Sequence, residues 1–177
     1  MAQWKVHMPS PPVQAGSGMV FLVGGYDESA PYGRVFEFSV PISPTPHERY
    51  DQVGHFGAVW GGQREFVDRL MNGFDARAMD ILAATLNLDT PNRDKVQNAL
   101  GQLVTPIPPQ FLPLQDCVDL SIFLIRTTMT IQSWTVGVRG VGGAIDVAAI
   151  TKTDGFRAIQ QKQVAGERPL FINPFAS

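Results

Sequence analysis

The stretch from residue 115 to residue 134 constrains the fold more than any other part of the sequence. It contains neither glycine nor proline, and the order of its apolar residues predicts one long helix. A helix that is apolar over so wide an arc is expected to lie between a sheet and a further layer. The residues of its two adjoining apolar faces are Val118, Ile122, Ile125, Met129 and Ser133, and Cys117, Leu120, Leu124, Thr128 and Ile131.

Two strands are predicted near the start of the chain. Residues 19–26 form a continuous apolar run, which is typical of a strand buried on both faces. Residues 34–40 alternate between apolar and other side chains, as in a strand with one buried face. Between the two runs, Pro31 and Gly33 supply turn chemistry. The pattern therefore predicts an antiparallel hairpin.

The middle of the chain predicts a third strand and three helices. Residues 41–49 are broken by prolines and are predicted to be a loop, and 55–62 to be a short strand. Helices are expected over 63–73, 76–86 and 90–104. Gly73 is predicted to end the first helix, and Thr90 is predicted to be the N-cap of the third. Four prolines prevent an α-helix over 105–114, which is predicted to be a connector or a flap.

A second hairpin is predicted near the end of the chain. Residues 143–151 alternate as a strand, a Lys-Thr-Asp-Gly turn follows, and 156–164 return antiparallel. Strands grouped at both ends around grouped helices predict an α+β fold with an antiparallel sheet layered against helices. The expected organisation is an irregular arm over 1–18, one domain over 19–164 and a tail over 165–177.

Composition excludes several classes of function. The net charge is −2, and no cluster of Lys and Arg forms a basic stripe, so a nucleic-acid partner is not expected. No apolar run is long enough to cross a bilayer, and a single cysteine excludes an internal disulfide. These features predict a cytoplasmic location. Charged residues make up only 17% of the chain, which favours a surface buried in an interface.

Four motifs, in this order, resemble the C-terminal part of a proteasome-type subunit of the N-terminal-nucleophile hydrolase superfamily. FLVGGYDE at 21–28 resembles the central strand of that family, and GRVFEFSV at 33–40 resembles its hairpin partner. GAVWGGQREFVDRLMNGFD at 57–75 is similar to the strand, glycine turn and helix that follow. GVGGAIDVAAITKTDGFRAIQ at 140–160 is similar to the late glycine pair and hairpin. The resemblance implies an αββα sandwich, here incomplete, and assembly with like subunits.

The chain departs from this family where its catalytic residues are expected. In the family, the nucleophile is a Thr at the mature N-terminus, and a Lys and an Asp on early strands support it. In this chain, removal of Met1 would expose Ala2, whose side chain is not a nucleophile. The positions that match a catalytic Asp and Ser before the late glycine pair are Val138 and Val141. The serine of the earlier glycine turn falls near Gly61 or Gly62. The resemblance therefore implies a chain without the catalytic front half.

No residue is predicted to be catalytic, to bind a cofactor or to hold a metal. Asp27 enters a turn, where an acid more often bonds backbone N–H groups than acts as a base. Ser17 would become an amine-activated nucleophile only after cleavage before it, and an irregular arm explains it better. Cys117, in an apolar helix, is predicted to be a small core residue. Trp60 and Trp134 are predicted to pack rather than to bind a ligand.

Three functions follow from these observations. The first is a proteasome-like subunit that assembles with copies of itself or with related subunits and does not cleave. The second is part of an active amidase or peptidase of the threonine type, whose nucleophile-bearing segment is missing or lies on another chain and whose substrate is a peptide. The third is a domain that binds a small molecule or a peptide, with residues 105–114 as its lid. No cofactor is expected for any of them.

Overall fold

A computed structural model describes residues 19–49, 56–137 and 139–162 of the chain. The predicted arm over 1–18 and the predicted tail over 165–177 lie outside the described residues. The described part contains helices and antiparallel strands, which confirms the α+β class. Its elements are β1 (Met19–Gly25), β2 (Arg34–Val40), β3 (Ser43–Glu48), α1 (Glu65–Asn72), α2 (Ala76–Thr85), α3 (Thr90–Leu100), α4 (Leu114–Trp134), β4 (Val147–Thr151) and β5 (Gly155–Gln160).

The first predicted hairpin is confirmed. Strands β1 and β2 pair antiparallel over their whole length, from Met19 opposite Val40 to Gly25 opposite Arg34. The rings of Phe21 and Phe38 stack across the pair with centroids 4.9 Å apart. The prediction that β1 is buried on both faces is wrong, because residues 19–23 are between 39% and 57% exposed. The strand lies at the edge of a sheet of order β1-β2-β3.

The third strand of this sheet lies earlier in the chain than predicted. Residues 43–48 form β3, although Pro44 and Pro46 favoured a loop. Proline is tolerated there because β3 is an edge strand, whose outward amide groups need no strand partner. A bulge between Glu37 and Ser39 also interrupts the β2–β3 register. The described part of the predicted strand 55–62 has no strand pairing, and His55 lies outside the described residues.

The predicted helices form, with one correction at an N-terminus. Helix α1 ends at Gly73, which adopts a left-handed conformation with φ of 80°. Helix α3 is capped by Asp89 rather than by Thr90, since the Asp89 carboxylate accepts a hydrogen bond from the Asn92 amide at 3.0 Å. Thr90 is the first helical residue. The Asp89 carboxylate, one position before Thr90, bonds a free amide group of the first turn and takes the role predicted for the Thr90 hydroxyl.

Thr105 anchors the start of the 104–112 segment to the end of α1. The amide of Thr105 donates to the Met71 carbonyl at 2.8 Å, and its hydroxyl donates to the Leu70 carbonyl at 2.7 Å. Both carbonyls belong to the last turn of α1, which has no intrahelical donors for them. The segment contains one turn of 3₁₀ helix, Pro109–Phe111, and no α-helix, as its prolines predict.

Helix α4 forms as predicted and buries one stripe, which consists of Val118, Leu124, Thr128 and Gln132. It contacts α1 and β4. The expectation that a layer lies on each side of it is only partly met, because Phe123, which lies away from the buried stripe, is exposed. Trp134, predicted to pack, is also exposed at the end of the helix.

The second predicted hairpin forms a separate two-stranded sheet. Strands β4 and β5 pair antiparallel, with Thr151 opposite Gly155 next to the turn. The turn reaches the first hairpin, where the Lys152 ammonium donates to the Ala30 carbonyl at 2.8 Å. Ala30 is buried. This hydrogen bond joins the two hairpin ends.

Replacement of Gly73 by Ala is expected to destabilise the fold by more than about 1 kcal/mol. The new Cβ would approach the Leu103 carbonyl oxygen to 2.8 Å and contact the Leu103 Cβ, at a φ that disfavours any L residue. Urea unfolding measures the effect. Gly101→Ala is the matched control, since its φ is −58° and its added Cβ meets nothing within 4 Å. An equal loss in both variants would contradict the interpretation.

Candidate functional site

The described residues form a groove with a volume of about 730 Å³. Its walls are residues 57–63, α1, the 104–112 segment and α4, and Leu22 of β1 also contributes. Parts of the chain that are distant in sequence therefore meet there. We call it the helix groove.

The helix groove is lined only by uncharged side chains in the part of the chain that the structure describes. Hydroxyl and thiol groups are present, but they are bonded to main-chain carbonyls. Ser121 donates to the Cys117 carbonyl at 2.8 Å, and Thr128 donates to the Leu124 carbonyl at 3.3 Å. Such bonds to the preceding turn are common in helices. Since an activated nucleophile needs a neighbouring base, these groups are suited to contact rather than to covalent chemistry.

Cys117 lies at the helix groove and not in the core as predicted. It is partly buried, lines the groove, and its Sγ lies 3.9 Å from the Leu112 carbonyl oxygen. Trp60 also lines the groove, and its indole N–H donates to the Asp68 carboxylate at 2.8 Å. This hydrogen bond satisfies the polar edge of the indole ring.

Asp27 is held in an ion-pair cluster. Arg34 donates to the Asp27 carboxylate at 2.7 Å and makes two parallel hydrogen bonds of 2.8 Å to Glu48. Hydrogen bonds with Glu48 and then Asp27 raise the pKa of Arg34 above its ordinary value. The structural interpretation of Asp27 is supported, but its side chain bonds Arg34 rather than the backbone. The backbone bond of this turn runs from the Ala30 amide to the Asp27 carbonyl at 3.2 Å.

The resemblance relates Gly61 or Gly62, Val138 and Val141 to catalytic serines and an acid of the family. The structure describes all of these positions except Val138. Gly61, Gly62 and Val141 all line the helix groove. Gly62 has a φ of 75°, which favours glycine over serine. Val138 and Ser17 lie outside the described residues. The side chains at the described positions carry no group that donates or accepts a proton.

Two buried polar residues that position the groove walls were not predicted. Gln132 accepts hydrogen bonds from the amides of Gly140 and Val141, both at 3.1 Å, and so fixes the loop after α4. Asp75 accepts from the Ala78 amide at 3.0 Å as the N-cap of α2 and pairs with Arg69 of α1. An acid before the apolar pattern of α2 signals a cap in the sequence. No local signal marks Gln132.

Burial raises the pKa of Asp75, but the hydrogen bonds from the Ala78 amide and from Arg69 lower it more. The pKa therefore lies below its ordinary value. Because the folded-state pKa is the lower one, the carboxylate stabilises the fold at pH values above its unfolded pKa of about 3.9. That contribution is lost as the pH falls through the folded-state pKa.

Residues 19–49, 56–137 and 139–162 contain neither a cluster of metal-ligating side chains nor a helix that could span a membrane. No three His, Cys, Asp or Glu side chains there are grouped so that they could hold a metal ion. No helix in these ranges is long and apolar enough to cross a membrane. His47 lies in β3, while His7 falls outside the described ranges.

Comparison of the chain with protein-family models, with curated proteins and with solved structures gives no match. The resemblance to proteasome-type subunits therefore remains a prediction from the four motifs.

Asp75→Asn is expected to lower the free energy of unfolding by about 1–2 kcal/mol at pH 7, since the amide keeps a cap but loses the charged bond to Arg69. The difference from wild type should narrow as the pH falls through the folded-state pKa of Asp75. Urea unfolding between pH 7 and pH 2 measures both effects. Asp80→Asn is the control, because its ion pair with Arg93 is exposed and should contribute less than about 1 kcal/mol. A difference that does not depend on pH would contradict this account.

Proposed function

We propose that this chain is a proteasome-type assembly subunit that associates with copies of itself or with related subunits and does not cleave peptides. The observation that carries the proposal is the amount of apolar surface that the single chain leaves uncovered. Among the described residues no side chain is completely buried, and apolar side chains on β1 and α4 are exposed. Large exposed apolar surfaces mark interaction sites in soluble proteins.

The outer face of α4 is the proposed contact between subunits. Phe123 is exposed there, while the stripe on the other side of the helix is buried. The charged fraction of the sequence, 17%, is low, as in chains that bury surface in assemblies. The resemblance implies the same arrangement, since it relates the chain to subunits that stack through helical layers.

The chemistry of the helix groove supports the non-catalytic part of the proposal. The described residues that line it include hydroxyl and thiol groups but no His, Lys, Asp or Glu to activate them. The active-enzyme alternative would require the nucleophile and its base to come from another segment or another chain. It remains a prediction. So does the lid alternative, although Thr105 fixes one end of the proposed lid on α1.

Light scattering coupled to size exclusion tests the proposal. We expect the wild-type chain to run as an oligomer and Phe123→Lys to shift its mass toward that of one chain, because the charge would be buried in the contact. Ile81→Lys is the matched control: Ile81 is 57% exposed and Phe123 52%, and both lie on helices. A wild-type protein that stays monomeric at every concentration would overturn the proposal, as would equal dissociation of both variants.

A further inference from the structure

The two edges of the three-stranded sheet differ in how they are protected. Strand β3 carries Pro44 and Pro46, and a bulge interrupts its register with β2. Prolines and bulges prevent a further strand from pairing with an edge. Strand β1 has neither: its seven residues are uncharged, contain no proline and pair with β2 in an unbroken register. The β1 edge is therefore suited to accept another strand.

The outer side of β1 has no strand partner among the described residues. In an antiparallel strand, alternate residues direct their N–H and C=O groups to each side, so β1 presents a row of donors and acceptors there. An apolar small molecule cannot satisfy these groups, whereas the main chain of an extended peptide can. The groups along this edge therefore complement the main chain of a polypeptide.

Leu22 connects this edge to the helix groove. It lies in the middle of β1, and it also lines the groove. Since the side chains of a strand alternate between the two faces of a sheet, a strand added beside β1 would direct every second side chain to the Leu22 face. Those side chains would lie next to the groove.

The lining of the helix groove defines which side chains fit. Its volume of about 730 Å³ is in the range of ligand sites, and no charged side chain among the described residues lines it. A charged group would lose its hydration there without gaining a counter-charge. Uncharged apolar side chains have no such hydration to lose, and they would cover apolar walls of the groove such as Leu120 and Ile125 of α4.

We propose that the outer edge of β1 binds an extended polypeptide strand whose alternate, uncharged apolar side chains occupy the helix groove. This inference goes beyond the proposed self-association through α4 and does not depend on it. The occupant is defined by its chemistry: a main chain free to pair over several residues, and no charge at the positions that face the groove.

The test uses the full chain and the acetylated, amidated peptide Thr-Val-Thr-Val-Thr-Val-Thr. Cys117 is the only cysteine of the sequence and lines the groove, so its alkylation by a maleimide reports occupancy. At a peptide concentration about ten times its Kd, the rate should fall roughly tenfold. The same peptide with every amide N-methylated should not protect Cys117, because it has no N–H groups to donate to the carbonyls of β1. A peptide with Lys in place of Val should also fail.

A matched pair of variants locates the site. Val104 lines the groove and is 51% exposed, whereas its neighbour Leu103 is 55% exposed and is not among the lining residues. Val104→Asp should weaken binding of the valine peptide at least tenfold, in a fluorescence anisotropy assay, and Leu103→Asp should leave it unchanged. Phe123→Lys should also bind normally, which separates this inference from the assembly proposal.

Three outcomes would each overturn the inference. They are protection of Cys117 by the N-methylated peptide equal to that by the unmodified one, absence of protection at saturating peptide, and equal weakening by Val104→Asp and Leu103→Asp. The first would show adsorption to an apolar surface, and the others would place the peptide elsewhere.

Discussion

The contacts of α4 join helix α1 to the second hairpin. This helix packs against α1 on one side and β4 on another, and its last buried residue, Gln132, binds the two amides of the following loop. Because a buried glutamine is costly unless its polar atoms are satisfied, this loop conformation and the end of α4 stabilise each other. The walls of the helix groove, the position of the second hairpin and the path of residues 139–146 all depend on that packing.

The elements that the sequence predicts correctly are those defined by local pattern. Two hairpins, four helices and the end of α1 at Gly73 follow from periodicity and turn chemistry, which act within a few residues. The errors concern properties that depend on neighbours. An apolar run at 19–25 specifies a strand but not what covers it, and Pro44 and Pro46 exclude a central strand but not an edge strand. The α3 cap differs by one residue because Asp89 and Thr90 are both good capping residues.

The candidate site was less predictable than the fold. The role of Asp27 at a turn could be assigned from its position, yet its partner Arg34 lies beyond the turn, and Glu48 joins the pair only because β3 forms. The helix groove combines Leu22, the residues before α1 and those around Leu124, and no sequence window contains all of them. A cavity of this kind is a property of tertiary packing. Motif order can indicate a family, but it does not show which surfaces a particular chain leaves open.

The protected edge at β3 has a consequence for how copies of this chain can combine. A sheet that is open on both sides can add strands without limit, and the product is a fibre. Here Pro44, Pro46 and the bulge beside β3 allow extension on one side only. If two copies met through their β1 edges, the joined sheet would have β3 at each end, and growth would stop at a closed pair related by a two-fold axis. Pro44 and Pro46, which made residues 43–48 look like a loop in the sequence, would thus limit how many strands a joined sheet can contain.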